Sequence, residues 1–151
     1  MTPQYSALNI ANYFLYKAQE ATEEDQELIS NLKLQKLVYY AQGLYMAVYG
    51  KPLFSDKIEA WTYGPVVREL YHHYKKHNSN GIRADKNFDP STINKDTRKF
   101  LDEIYEVFGQ FSAIRLMNLA HSDQCWSDAV IGNEITCASM GNCFKKYLRN
   151  V

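Results

Sequence analysis

The sequence predicts a mainly α protein: a compact single-domain helical bundle around a central buried helix at about 31–49, with a short extended or hairpin segment near 57–63. Three observations carry this. The run Leu32 to Tyr49 is apolar on nearly every side of a helical wheel, the pattern of a helix surrounded by other elements. Gly50, Lys51 and Pro52 then supply a helix stop, a glycine followed closely by a proline. Helical periodicity recurs on both sides of this run, and period-two alternation is confined to the stretch after it.

On the central helix Leu34, Leu37, Val38, Ala41, Leu44, Tyr45 and Val48 share one direction and form its core stripe. Gln35, Tyr39, Gln42, Met46 and Tyr49 form a second, amphipathic row, and Gly43 with Ala47 would admit a close neighbouring helix. Before it, Ser6 caps a first helix whose inner face is Ala7, Ala11, Phe14, Leu15 and Ala18, ending near Ala21. The run Thr22 to Glu27 reads as a solvated connection, and Ser30 as the cap of the central helix. Beyond Pro52, Ile58, Ala60 and Thr62 alternate with Glu59, Trp61 and Tyr63, too briefly to found a sheet. Gly64 and Pro65 are expected to restart a helix, with Val66, Val67, Leu70, Tyr71 and Tyr74 inward.

The segment from His77 to Ser91, HNSNGIRADKNFDPS, has turn composition without period and reads as the main flexible loop. Asn94 or Asp96 opens a further helix with Phe100, Leu101, Ile104, Tyr105 and Phe108 on one face. Ser112 caps a shorter one through Ala120, a turn is centred on Trp126, and Thr136 caps the last, where Met140, Phe144, Tyr147 and Leu148 pack back.

Seventeen basic and seventeen acidic residues cancel, so no global field draws the chain to nucleic acid or to an anionic membrane. No apolar run is long enough to cross a bilayer and no basic-then-apolar leader opens the sequence, so a cytoplasmic location is expected. Three cysteines without CxxC spacing fit reduced thiols better than a disulfide framework or a zinc site. Twelve tyrosines, seven phenylalanines and two tryptophans are the compositional excess, suited to interfaces and to a helical core alike, and as serviceable for a homodimer as for another partner.

Chemistry finds little foothold. His73 and His77 stand four apart on a helix, but no glutamate follows the first, and beside Lys75 and Lys76 they read equally as the wet side of a helix end. Cys125 lies near His121 and Asp123, yet a buried apolar cysteine next to Trp126 accounts for it as well. An enzyme using a metal or a thiol would have to draw on these residues and His72. Arg68, His72, Lys75, Lys76 and Arg83 could face phosphate, but they also read as the polar side of an amphipathic helix, so nucleic-acid binding is not the favoured reading. Neither a catalytic set, nor a cofactor site, nor a metal site is predicted.

Three blocks taken together carry a resemblance: NLKLQKLVYYAQGLYMAVYGKPLFS from Asn31, IEAWTYGPVVR from Ile58, and FSAIRLMNLAHSDQCWSDAV from Phe111. In order and spacing they resemble the Panacea domain, the SocA-like or phage-associated protein family found as the antitoxin half of many toxin–antitoxin pairs. The resemblance covers nearly the whole chain and implies a single domain over 1–151. It implies an antitoxin that binds and neutralises a cognate protein toxin, encoded by an adjacent gene, by direct contact and without a cofactor. Some members are linked instead to delivering the toxin to a cytosolic ATP-dependent protease. Many carry an additional N-terminal DNA-binding segment; this chain opens directly with the family's blocks, so DNA binding is not expected of it.

The residues expected at a partner surface are Lys33, Gln35 and Lys36 at the polar start of the central helix, with Trp61, Tyr63, Arg68, Tyr71, His121 and Trp126 converging beside it. Trp, Tyr and Arg are the types enriched at binding hot spots. For each aromatic, capping of the core is an equal alternative, and the lysine stems can equally lie along apolar surface.

Overall fold

Ser30 and Gly50 delimit the central helix. The computed structural model describes residues 5–21 and 28–148. Ser30 accepts from the Lys33 N–H, and Gly50 sits at φ 71° with its N–H on the Met46 carbonyl, so local chemistry alone fixes both ends of α2 (Asn31–Tyr49). The other helices are α1 (Ala7–Ala21), α3 (Arg68–Tyr74), α4 (Lys95–Phe108), α5 (Ala113–His121), α6 (Gln124–Ser127) and α7 (Cys137–Phe144). Ser6, Asn94, Ser112 and Thr136 cap α1, α4, α5 and α7 through their side chains. The acidic run at 22–27 lies outside the described residues.

Helices α1, α3, α4, α5 and α7 all touch α2. From Leu34 to Gly43 every side of α2 is buried, Lys36, Gln35 and Gln42 included. At Gly43 the Phe144 ring of α7 packs directly on α2, where a Cβ would run into it, and Gly141 of α7 faces Met46 in return. The small-residue gap is used as the sequence suggested. The last turn of α2 extends past the bundle, so Val48 is 49% exposed rather than part of the core stripe, and Tyr45 is only half-buried.

Where an extended or hairpin segment is expected near 57–63, two strands form a hairpin that runs on to 66, β1 (Ile58–Trp61) and β2 (Gly64–Val66), paired antiparallel with Trp61 opposite Gly64. A third strand, β3 (Glu134–Ile135), adds to the other side of β1, giving the order β2-β1-β3. Gly64 and Pro65 therefore do not restart a helix. Gly64, at φ 113°, follows the Thr62–Tyr63 turn, and Pro65 sits in an edge strand where a missing N–H is tolerated. The helix begins three residues beyond Pro65, at Arg68.

The segment read as the flexible loop is fastened. Ile82 is buried and bridges Ile29, Asp85 exchanges hydrogen bonds with Asn12, and the Ala84 N–H donates to Gln19. Polar side chains of α1 supply the partners that its turn composition lacks. No helix among the described residues is long and apolar enough to cross a membrane.

Candidate functional site

Side chains from α2 and from the α5–α6 region hold the hairpin and the chain on either side of it. Gln42, 1% exposed, brackets its approach: Oε1 accepts from the N–H groups of Leu53 and Phe54 at 2.8 and 3.3 Å, and Nε2 donates to the Phe54 carbonyl at 2.9 Å. Two helical turns earlier, Gln35 brackets the exit, accepting from the Val67 N–H at 2.9 Å and donating to Asn31, whose amide donates to the Tyr71 carbonyl. The turn is held from behind: Trp126 Nε1 donates to the Trp61 carbonyl at 3.1 Å, and His121 Nε2 donates to the Thr62 carbonyl at 3.2 Å. The His121 and Trp126 rings lie against each other, 4.3 Å between centroids.

Beside the hairpin lies a groove of about 1030 Å³. Its walls are the first turn of α2, the hairpin from Trp61 to Val66, Tyr71 and Lys75, then Ile114 and Met117 of α5 and Ile131 from the loop before β3. Tyr63, Ile114 and Ile131 are 68%, 57% and 55% exposed, among the most exposed large apolar side chains described. Single exposed apolar residues are ordinary, but three converging on one concavity are not. Lys36 and Lys75 are the ionisable cations of the lining, and no Asp or Glu belongs to it. Trp61 and Tyr71 meet edge to face at 5.0 Å on one wall.

Lys36 is fully buried. Its stem runs beneath the hairpin, where a side chain at Gly64 would collide with it, and its amine donates one long hydrogen bond, 3.4 Å, to the Pro65 carbonyl. Burial away from any counter-charge pushes this amine down to about 7. Lys33, by contrast, spans to α4 and donates to the Gly109 carbonyl at 2.6 Å; burial lowers its pKa too.

One turn further along α2, a second buried charge is handled differently. Asp123 accepts from Tyr39 and Tyr40 at 2.9 and 3.0 Å on one oxygen, and from Tyr147 at 2.7 Å and Lys146 at 2.9 Å on the other. Burial and the adjacent carboxylate push the hydroxyls of Tyr39, Tyr40 and Tyr147 well above the ordinary phenol range. Cys125 packs at 3.2 Å from the Tyr39 hydroxyl, and burial raises its thiol to about 12. It is not a poised nucleophile, since reactivity belongs to the thiolate, and His121 is engaged with Thr62 and Trp126 instead. His73 and His77 flank the Tyr74 ring, and the described residues hold no cluster of three or more metal-type ligands.

Of the residues expected at a partner surface, Gln35, Lys36, Trp61, Tyr63 and Tyr71 line the groove. Lys33 points to α4, His121 and Trp126 brace the hairpin from behind, and Arg68 pairs with Glu59 at 3.1 Å beside it. Hydrogen bonds from Trp61 and Arg68 keep that carboxyl below its usual range. The structure adds Leu32, Val66, Lys75, Ile114, Met117 and Ile131 to the lining. The signal for Ile114 and Met117 was available as two apolar residues three apart on α5, away from its buried Leu116 and Ala120; nothing local marks Ile131.

A family model described as "Antitoxin SocA-like, Panacea domain" matches residues 34–127. Antitoxin SocA of Caulobacter vibrioides (strain NA1000 / CB15N) is 31% identical over 104 residues, 62% of this chain and 55% of that protein. The chain thus spans about half the length of this curated relative. No solved structure matches. The matched stretch runs from α2 to α6 and so contains the hairpin, its brackets and most of the groove.

Proposed function

Because the chain belongs to the antitoxin SocA-like, Panacea domain family, we propose that it is an antitoxin, a single binding domain over 1–151 that neutralises a cognate protein toxin by direct contact through the groove beside the hairpin. The observation that carries this reading is the convergence of Tyr63, Ile114 and Ile131 on one concavity lined by Trp61 and Tyr71. A patch of exposed apolar and aromatic residues around a rigid concave surface suits protein recognition. The contact residues proposed are Gln35, Lys36, Trp61, Tyr63 and Tyr71, with Ile114 and Ile131 added; Lys33, His121 and Trp126 act indirectly, by holding the walls. The role asks for no cofactor and no bond-making chemistry, and the reading takes the protein as a binder rather than an enzyme.

Coexpression tests it. A reading frame adjacent to the gene for this chain should arrest growth when expressed alone and lose that effect when this chain is expressed with it. Failure to rescue from any neighbouring frame overturns the reading. Toxin abundance in the rescued cells separates mechanisms: an undiminished level is expected for sequestration, and a level that falls only when this chain is present would assign it to delivery to a protease. Size-exclusion chromatography of the rescued complex reports whether a homodimer or a monomer engages the toxin.

A further inference from the structure

Lys36 has an unmet need. A lysine ammonium carries three donors, and this one, enclosed at 0% exposure, has a single long contact with a neutral carbonyl. A buried cation without a counter-charge is costly, and proteins ordinarily pair it or leave the position apolar. In a chain whose acidic and basic residues balance, the groove at this amine is lined by Lys36 and Lys75 and by no carboxylate. The first turn of α2, a helix of 19 residues, also opens onto the groove through Ser30, Asn31 and Leu32, which adds the positive pole of the helix to the same corner. The remaining lining is largely apolar: Leu32, Val66, Ile114, Met117 and Ile131.

We propose that this groove accepts a short segment of the toxin that bears one carboxylate between apolar side chains, and seats that carboxylate against the Lys36 amine at the N-terminal end of α2. The inference rests on the antitoxin reading for the identity of the partner. One enclosed ammonium set among apolar walls, with Lys75 as the other cation of the lining, fits a single carboxylate; a nucleic-acid strand or a polyphosphate would call for a row of cations. In the free chain the hairpin covers the amine, so the incoming carboxylate replaces the Pro65 contact, the longest of the hairpin tethers named above. Gly64 lets the hairpin lie this close over the lysine stem, since a side chain there would meet it.

The probe is a random heptapeptide display library selected on the full chain, followed by synthesis of the enriched peptides with a fluorescein label. Enriched peptides should carry Asp, Glu or a free C-terminal carboxylate beside apolar residues. Asp→Asn or Glu→Gln versions, or C-terminal amidation, should weaken binding about tenfold or more and thereby tell side-chain from terminal carboxylates. Lys36→Met should weaken it similarly while keeping the helical circular dichroism and without lowering the melting temperature, Ile114→Ser should weaken it from across the groove, and Val48→Ser, far from the groove, should leave it unchanged. Enrichment of uncharged peptides, no enrichment at all, equal affinity for Lys36→Met, or displacement of the peptide by millimolar inorganic phosphate overturns the proposal. Toxin rescue retained at full strength by Lys36→Met also overturns it while leaving the antitoxin reading standing; carboxylate peptides that bind through Lys36 without any toxin to rescue would overturn the antitoxin reading, and the toxin as occupant with it, while leaving the carboxylate site standing.

Discussion

Lys36 and Asp123 are both fully buried, lie within a turn of each other against α2, and differ in every other respect. Asp123 meets three tyrosine hydroxyls and the Lys146 ammonium, which ties α2, α6 and the C-terminal turn into one unit. Lys36 meets one carbonyl at 3.4 Å. A buried charge with all its partners inside the fold serves the fold; one left short of partners at the wall of a groove serves something outside it. The contrast separates the half of α2 that organises the core from the turn that faces the groove.

The comparison can be broken at either end. Asp123→Ala removes the acceptor of four donors at once and should cost about 3–5 kcal/mol in urea unfolding, with Tyr147 and the C-terminal turn loosening first. Gln42→Leu strands the Leu53 and Phe54 N–H groups and should cost about 2–3 kcal/mol, read as faster amide exchange at those two residues. Lys36→Met should go the other way, stabilising the chain by about 1–3 kcal/mol at neutral pH.

The pH dependence fixes the sign for Lys36. Its amine falls to about 7 on folding from the ordinary 10.5, so between those values the unfolded chain holds a proton that the folded chain has released. Wild-type stability should therefore rise through this window and be lowest below pH 7, whereas Lys36→Met lacks the rise. Comparing the two proteins from pH 6.5 to pH 7.5 keeps the measurement below the midpoints at which unfolded thiols and phenols ionise. Arg68→Ala, which breaks an exposed pair with Glu59, should change stability by only roughly 0.2–1 kcal/mol. If toxin rescue drops sharply with that small change, the contact surface extends around the hairpin to Arg68.

What the sequence made legible was local. Ser30, Ser112 and Thr136 cap the helices they were expected to cap, and of Asn94 and Asp96 it is Asn94 that caps α4, because a cap needs only three neighbouring residues. The Gly43 approach followed from α2 being apolar all round. β2 and β3 were not legible, since a two-residue strand such as Glu134–Ile135 exists only through its partner 75 residues or more away in the chain. The Gly64–Pro65 pair satisfied the rule for a helix start and the rule for an edge strand equally, and pairing decided. The groove was half legible: its α2 and hairpin walls are contiguous motifs, whereas Ile114 and Ile131 reach it only through tertiary packing. Burial of Lys36 ran against the strongest prior of all, that lysines stay wet.

The way the hairpin is fastened has a consequence for how such a chain can change. The tethers from α2 and from the α5–α6 region reach its backbone: the carbonyls of Trp61, Thr62 and Pro65 and, just past β2, the N–H of Val67. The side chains of Thr62 and Tyr63 are exposed at the tip and take no part in any of these bonds. Both can be exchanged without disturbing what holds the loop in place, as can the exposed Ile114 and Ile131 across the groove. Libraries confined to these four positions should therefore return mostly folded proteins, and new binding preferences could accumulate there by substitution while the folding free energy of the scaffold stays nearly constant.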